Sequence, residues 1–152
     1  MATFSKINDF VENLAQAIDV DGDVWKLALT NTAPASEVPI PTADGNGIEA
    51  NITDIVYTNY SDDLTVDRVL TAGTLTHALS SGVFTWDYGA DIVITAVTGA
   101  LPTWRYLYIW DDTVTSPVDP LMGVWDHGSA IDLALSDTAT ISMHASGIFT
   151  LT

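Results

Sequence analysis

From residue 24 onward the chain is cut into short β-branched and aromatic runs separated by turn residues. Runs of about four to eight such residues, bounded by Gly, Pro, Asn, Asp and Ser, read as strands. That texture covers 24–30, 52–60, 64–71, 74–79, 83–88, 92–97, 104–110, 121–126, 131–135, 138–145 and 148–152. Helical crossovers between the runs are missing, which argues against a parallel α/β sheet. The pattern predicts a mainly β fold, an antiparallel β-sandwich or jelly-roll-like domain. It fits one β-rich domain over 1–152, with its strands from about 48 to the C-terminus. Ahead of the strands, Phe4, Ile7, Phe10, Val11, Leu14 and Ile18 recur at helical spacing and predict one amphipathic helix over about 4–18. A long loop is expected over about 31–47, where Pro34, Pro39 and Pro41 precede Asp44-Gly45-Asn46-Gly47.

Charge narrows the partners. The chain has 20 acidic and 4 basic residues, a formal net charge of −16. Binding to nucleic acid needs Lys and Arg to displace phosphate counterions, so no nucleic-acid partner is expected. The same scarcity of cations weighs against anionic membranes, and no run approaches the about 18 apolar residues of a membrane span. A disordered acidic tail is excluded by the 47% hydrophobic content. Cysteine is absent, which removes disulfides, thiolate metal sites and cysteine nucleophiles. The opening residues carry no basic stretch followed by an apolar run, so Sec-type export is not expected.

Catalysis finds little support. His77, His127 and His144 are far apart in sequence. Asp126-His127-Gly128-Ser129 contains triad residue types, but a triad needs groups converging from different elements. The tetrapeptide is therefore read as a turn. No Gly-x-Ser-x-Gly elbow is present. No catalytic residue and no cofactor are assigned, and the chain is not expected to be an enzyme. Two metal readings exist: Asp19, Asp21 and Asp23 place carboxylates at alternate positions, as a calcium loop does, and Asp44-Gly45-Asn46-Gly47 is a second, weaker candidate of the same kind. In the first the glycine stands at the fourth position rather than the sixth, and Thr30 occupies the twelfth, so a helix-to-strand turn is preferred.

The sharpest feature is the alternation of Trp104, Tyr106, Tyr108 and Trp110 with Arg105, Leu107 and Ile109. Alternate residues of a strand share a face, so four aromatics would line one side. Three readings follow: a central strand buried on both faces, a protein interface, or a platform for stacking sugars. With Pro34, Pro39 and Pro41 of the long loop, these four residues are the interface candidates.

Several strings taken together resemble a family. Phe4-Ser5-Lys6-Ile7-Asn8-Asp9-Phe10, Ala28-Leu29-Thr30-Asn31-Thr32-Ala33-Pro34 and Pro41-Thr42-Ala43-Asp44-Gly45-Asn46-Gly47 open the series. Arg105 to Thr113, Ser116-Pro117 and Asp119-Pro120-Leu121 complete it. They resemble small proteins encoded among the structural genes of tailed bacteriophages. The resemblance implies a virion structural protein made in the host bacterial cytoplasm. The role it implies is that of a capsid decoration (cement) protein on the outer head surface, stabilising the joints between capsomers. It implies the major capsid protein and copies of the chain itself as partners, and it carries no catalytic residues; a trimer is expected from symmetry, since icosahedral shells present local threefold joints. The alternatives are a carbohydrate-binding β-sandwich or a tail or receptor-recognition module of the same particle.

Overall fold

The computed structural model describes residues 3–55, 59, 68–69, 75–89, 91–142 and 148–151. The fold is mainly β, with antiparallel ladders and one short helix near the N-terminus. In chain order the strands are β1 (Thr3–Lys6), β2 (Trp25–Thr30), β3 (Arg68–Val69), β4 (Leu75–Ser80), β5 (Val83–Tyr88) and β6 (Ile92–Thr95). They continue with β7 (Leu101–Asp111), β8 (Leu121–Leu133), β9 (Thr138–Ile141) and β10 (Phe149–Leu151). The helix α1 (Phe10–Gln16) lies between β1 and β2, and single 3-10 turns occur at Pro34–Ser36 and Glu49–Asn51. Three sheets result: β1-β8-β7-β2-β3, β10-β5-β4 and β6-β9.

The long strand β7 is the spine. Cross-strand partners share a face, so the register with β2 assigns its two sides. Leu107 and Ile109 lie opposite Leu29 and Leu27, while Tyr106, Tyr108 and Trp110 lie opposite Thr30, Ala28 and Lys26. All five of these β7 side chains are buried. On the first face Trp25 meets Trp86 of β5, with ring centroids 5.0 Å apart, and this contact joins the five-stranded and three-stranded sheets. Phe10 of α1 meets Phe149 of β10 edge-on at 5.3 Å, which places the helix in the same core.

The helix over 4–18 is corrected. Residues 3–6 form β1 and pair with β8, from Thr3 opposite Asp126 to Lys6 opposite Gly123. The reason lies in β8. Gly123 has no side chain, and a Cβ there would come within 2.3 Å of the Phe4 ring. Phe4 therefore lies over the glycine and meets Trp125 at 4.8 Å. Short helices are marginal without tertiary support, and strand pairing wins over the first residues. Of the predicted apolar face, Ile7, Phe10 and Ile18 are buried, whereas Val11 is 55% exposed.

Two other boundaries change. The runs at 121–126 and 131–135 join into β8, with an irregularity in between. Tyr106 pairs with Asp126 and Trp104 with Ile131, so residues 127–130 are extruded from the ladder, and Gly128 takes a left-handed φ of +90°. In a strand of this kind such a bulge re-aims neighbouring side chains. Of the run at 52–60, residues 52–55 are extended or irregular, and Ile55 N–H donates to Leu29 O. Residues 56–58 and 60, and the run 64–71 apart from β3, lie outside the described residues.

The loop over 31–47 is fastened at its C-terminal end and in its middle. Asp9 accepts hydrogen bonds from Gly45 N and Gly47 N, each 2.8 Å. Leu121 N then donates to Gly47 O, and Glu49 N to Asp119 O. The buried Glu37 carboxylate accepts from Thr53 N and Thr53 Oγ1 at 3.1 and 2.8 Å.

This packing separates two neighbouring helix residues. Phe10→Ala is expected to cost about 3–5 kcal/mol, and Val11→Ala within about 0.5 kcal/mol, in urea denaturation. Equal losses at the two positions would mean that α1 is not docked as described.

Candidate functional site

The four aromatic residues of β7 are inside the molecule: Trp104 is 2% exposed, Tyr106 7%, Tyr108 0% and Trp110 4%. A sugar platform or interface needs open ring faces, so those readings of this strand are withdrawn. Nor do the four rings share one side. Trp104 lies beyond the register shift and lines a cleft together with Leu107. Burial, reinforced by the Glu37 carboxylate, pushes the Tyr108 phenol well above its ordinary range. Of the loop candidates, Pro39 is exposed, Pro34 half-buried and Pro41 buried.

Asp19, Asp21 and Asp23 do not converge. Asp19 Oδ1 accepts from Asp21 N and Gly22 N at 3.2 Å, closing an Asx-type turn. Asp21 pairs with His77 Nδ1 at 3.1 Å, and Asp23 Oδ2 accepts from Asp19 N at 2.6 Å. Among the described residues no group of three His, Asp or Glu side chains is placed to hold a metal ion.

Asp126-His127-Gly128-Ser129 is the bulge of β8 rather than a turn between strands. Asp126 is held by Arg105 through Nε at 2.7 Å and Nη2 at 2.9 Å, and its Oδ1 also accepts from Gly128 N at 2.7 Å. The guanidinium keeps the Asp126 carboxyl below its ordinary range, and the carboxylate raises Arg105 in return. Asp126 thus serves Arg105 and the bulge, and the orienting contact of a triad is not made. His127 Nδ1 instead meets Ser129 O at 3.0 Å, with Ser129 Oγ at 3.5 Å. His144 lies outside the described residues.

What the bulge does build is the wall of a cleft of about 460 Å³. Trp104, Leu107, Ile131 and Leu133 form one side, and Ala139 and Ile141 of β9 the other. Arg105, Trp125 and His127 stand on the β7–β8 wall, and Thr138, Thr140 and Ser142 belong to the opposite one. No Asp or Glu is among the described lining residues, although the chain carries 20 of them. An apolar pocket with a few polar groups is the usual form of a small-molecule site. Sequence reasoning missed it, because its residues come from positions 104 to 142 and meet only through the bulge.

A second unusual group is Asp111, the last residue of β7, which is fully buried. Its Oδ1 accepts from Thr113 N at 2.8 Å and Val114 N at 3.2 Å. Burial raises its pKa to about 7; the two backbone donors oppose the rise, and the neighbouring Asp23 carboxyl adds to it.

No family model, curated protein or solved structure matches the chain.

Asp111 sets a pH dependence whose sign is fixed. Between the ordinary carboxyl value of 3.8 and about 7 the folded chain holds a proton that the unfolded chain has lost. Stability from this group therefore falls as pH rises through that window, no more steeply than about 1.4 kcal/mol per pH unit, and levels off above it. Asp111→Asn keeps an oxygen for Thr113 N and Val114 N and removes the titration. The difference in unfolding free energy, variant minus parent, is expected to grow from pH 4 to 7. Parallel curves across the window would show that Asp111 does not titrate there.

Proposed function

We propose that the protein is a virion structural component of a tailed bacteriophage, a decoration protein that binds the outer surface of the head and acts without catalysis. The observation that carries this reading is the spatial arrangement of the strings that resemble phage structural proteins. Ala28–Thr30 of β2 pairs with β7 across Tyr106 to Tyr108. The loop string ends at Gly47, whose carbonyl accepts from Leu121 N, and Ile48 bridges Pro120. Asp9 of the opening string clasps Gly45 and Gly47. Five separated stretches of sequence therefore build one connected frame, as expected when the likeness reflects a shared scaffold.

Other features support the reading. The triad residue types at 126–129 are engaged in structural contacts. The long loop presents an apolar tip, with Val38 94% exposed, Pro39 exposed and Ile40 39% exposed. In this reading the tip contacts the major capsid protein and copies of the chain meet as a trimer, closed symmetry being the common arrangement. At −16 per copy, cohesion between copies rests on apolar contact, and salt aids it by screening repulsion beyond about 10 Å at 0.1 M.

Two measurements test this. A reconstruction of the purified particle is expected to show the domain on the outer head surface, and density in the tail or the capsid interior would contradict it. In sedimentation of the isolated protein, self-association is expected to strengthen between 0.05 and 0.5 M salt, figures of the order over which screening becomes complete. Dissociation on adding salt would mean that ion pairs, not apolar surface, hold the copies together.

A further inference from the structure

We propose that the cleft between β9 and the β7–β8 ladder binds a small uncharged amphiphile: an apolar chain or ring ending in an amide. The inference does not rest on the virion reading. At about 460 Å³ the cleft lies within the range of about 300–1,000 Å³ usual for ligand pockets. Trp104, Leu107, Ile131, Leu133, Ala139 and Ile141 supply apolar walls, which suit a hydrocarbon body rather than a sugar.

The polar groups define the other end of the ligand. The Trp104 indole N–H is buried and has no hydrogen-bond partner among the described residues. A buried donor left in that state is unfavourable, so an indole shift that presents it to a ligand acceptor gains what the fold leaves unmade. Arg105 gives Nε and Nη2 to Asp126, and a guanidinium carries five N–H donors in all, so donors remain for a ligand. His127 complements these donors. Its Nδ1 lies 3.0 Å from Ser129 O, and a carbonyl oxygen only accepts, so in the neutral imidazole that makes this contact Nε2 is left as an acceptor. Donors and an acceptor on one wall match an amide, which offers both a carbonyl and an N–H.

Electrostatics decides against an anion. The charge of Arg105 is already matched by Asp126 at 2.7 Å, so the cleft holds no uncompensated cation for a carboxylate to meet. Around it lies a molecule with a net charge of −16, whose summed field repels anions. The described lining itself has no carboxylate, so an uncharged ligand meets neither penalty.

The test is a two-dimensional 15N NMR titration of the full chain with hexanamide, and in parallel with hexanoate. Hexanamide is expected to shift the Trp104 indole N–H, Arg105, His127 and residues 138–142. Hexanoate is expected to bind at least about threefold more weakly at low salt, the gap narrowing as salt screens the net charge. Shifts centred elsewhere, or hexanoate binding as tightly at low salt, would overturn the proposal. Ala139→Phe fills the cleft and is expected to abolish the shifts; undiminished binding contradicts the assignment. Ile141→Ala widens the same cleft without adding bulk, and is expected to move the preference from hexanamide to octanamide. An unchanged preference in a folded Ile141→Ala variant would likewise exclude this site.

Discussion

A strand that is apolar on both faces must be covered on both faces, and β7 imposes that condition on everything around it. Leu107 and Ile109 on one side and Tyr106, Tyr108 and Trp110 on the other are all nearly or fully buried. Each large apolar side chain contributes about 1.5–3 kcal/mol on burial, so leaving either face open would forfeit a large part of a domain's marginal stability. The first face is covered through the Trp25–Trp86 contact with the three-stranded sheet. On the second, Tyr108 lies close enough to Glu37 to feel its charge, and Glu37 is itself tied to Thr53. The long loop is thereby part of the core's cover, which explains why it is fastened by Asp9 rather than left free.

The same condition accounts for the polar groups in unusual states. Asp111 ends β7 inside the protein because the next residues turn sharply, and its carboxyl oxygen meets the backbone N–H groups of Thr113 and Val114. The cost appears as a carboxyl that keeps its proton to about pH 7. At the other end of the strand the ladder to β8 is broken by the extruded residues 127–130, and Trp104 and Arg105 there line the cleft rather than continue the regular face. One end of β7 is thus pinned by a buried acid, and the other opens into the cleft.

Much of this was legible in the sequence. Residues 83–88 appear as β5 with the expected limits, and the alternation over 104–110 marks the spine, because β-branched and aromatic runs bounded by turn residues have few other outcomes. The N-terminus was not legible, since Phe4, Ile7 and Phe10 suit a helix, and only Gly123, more than a hundred residues away, makes room for Phe4 in a strand. Asp-His-Gly-Ser is turn chemistry in sequence, yet Arg105 holds Asp126 and keeps the bulge within one strand. Cleft and buried acid share that origin: each depends on which distant residues the register brings opposite, and composition carries no record of register.

The central claim is that β7, with β2 and β8 on either side, is the structural core and not a recognition surface. Native-state hydrogen exchange measures this directly, because amides of the core exchange only through global unfolding. The account predicts that the amides of Leu107 to Ile109 and their β2 partners share the highest protection in the molecule. It also predicts that those of β4, whose described side chains are exposed, exchange far sooner. If Tyr106 to Trp110 exchanged as fast as β4, the double-sided burial of β7 would be wrong, and the aromatic strand would again be open to partners.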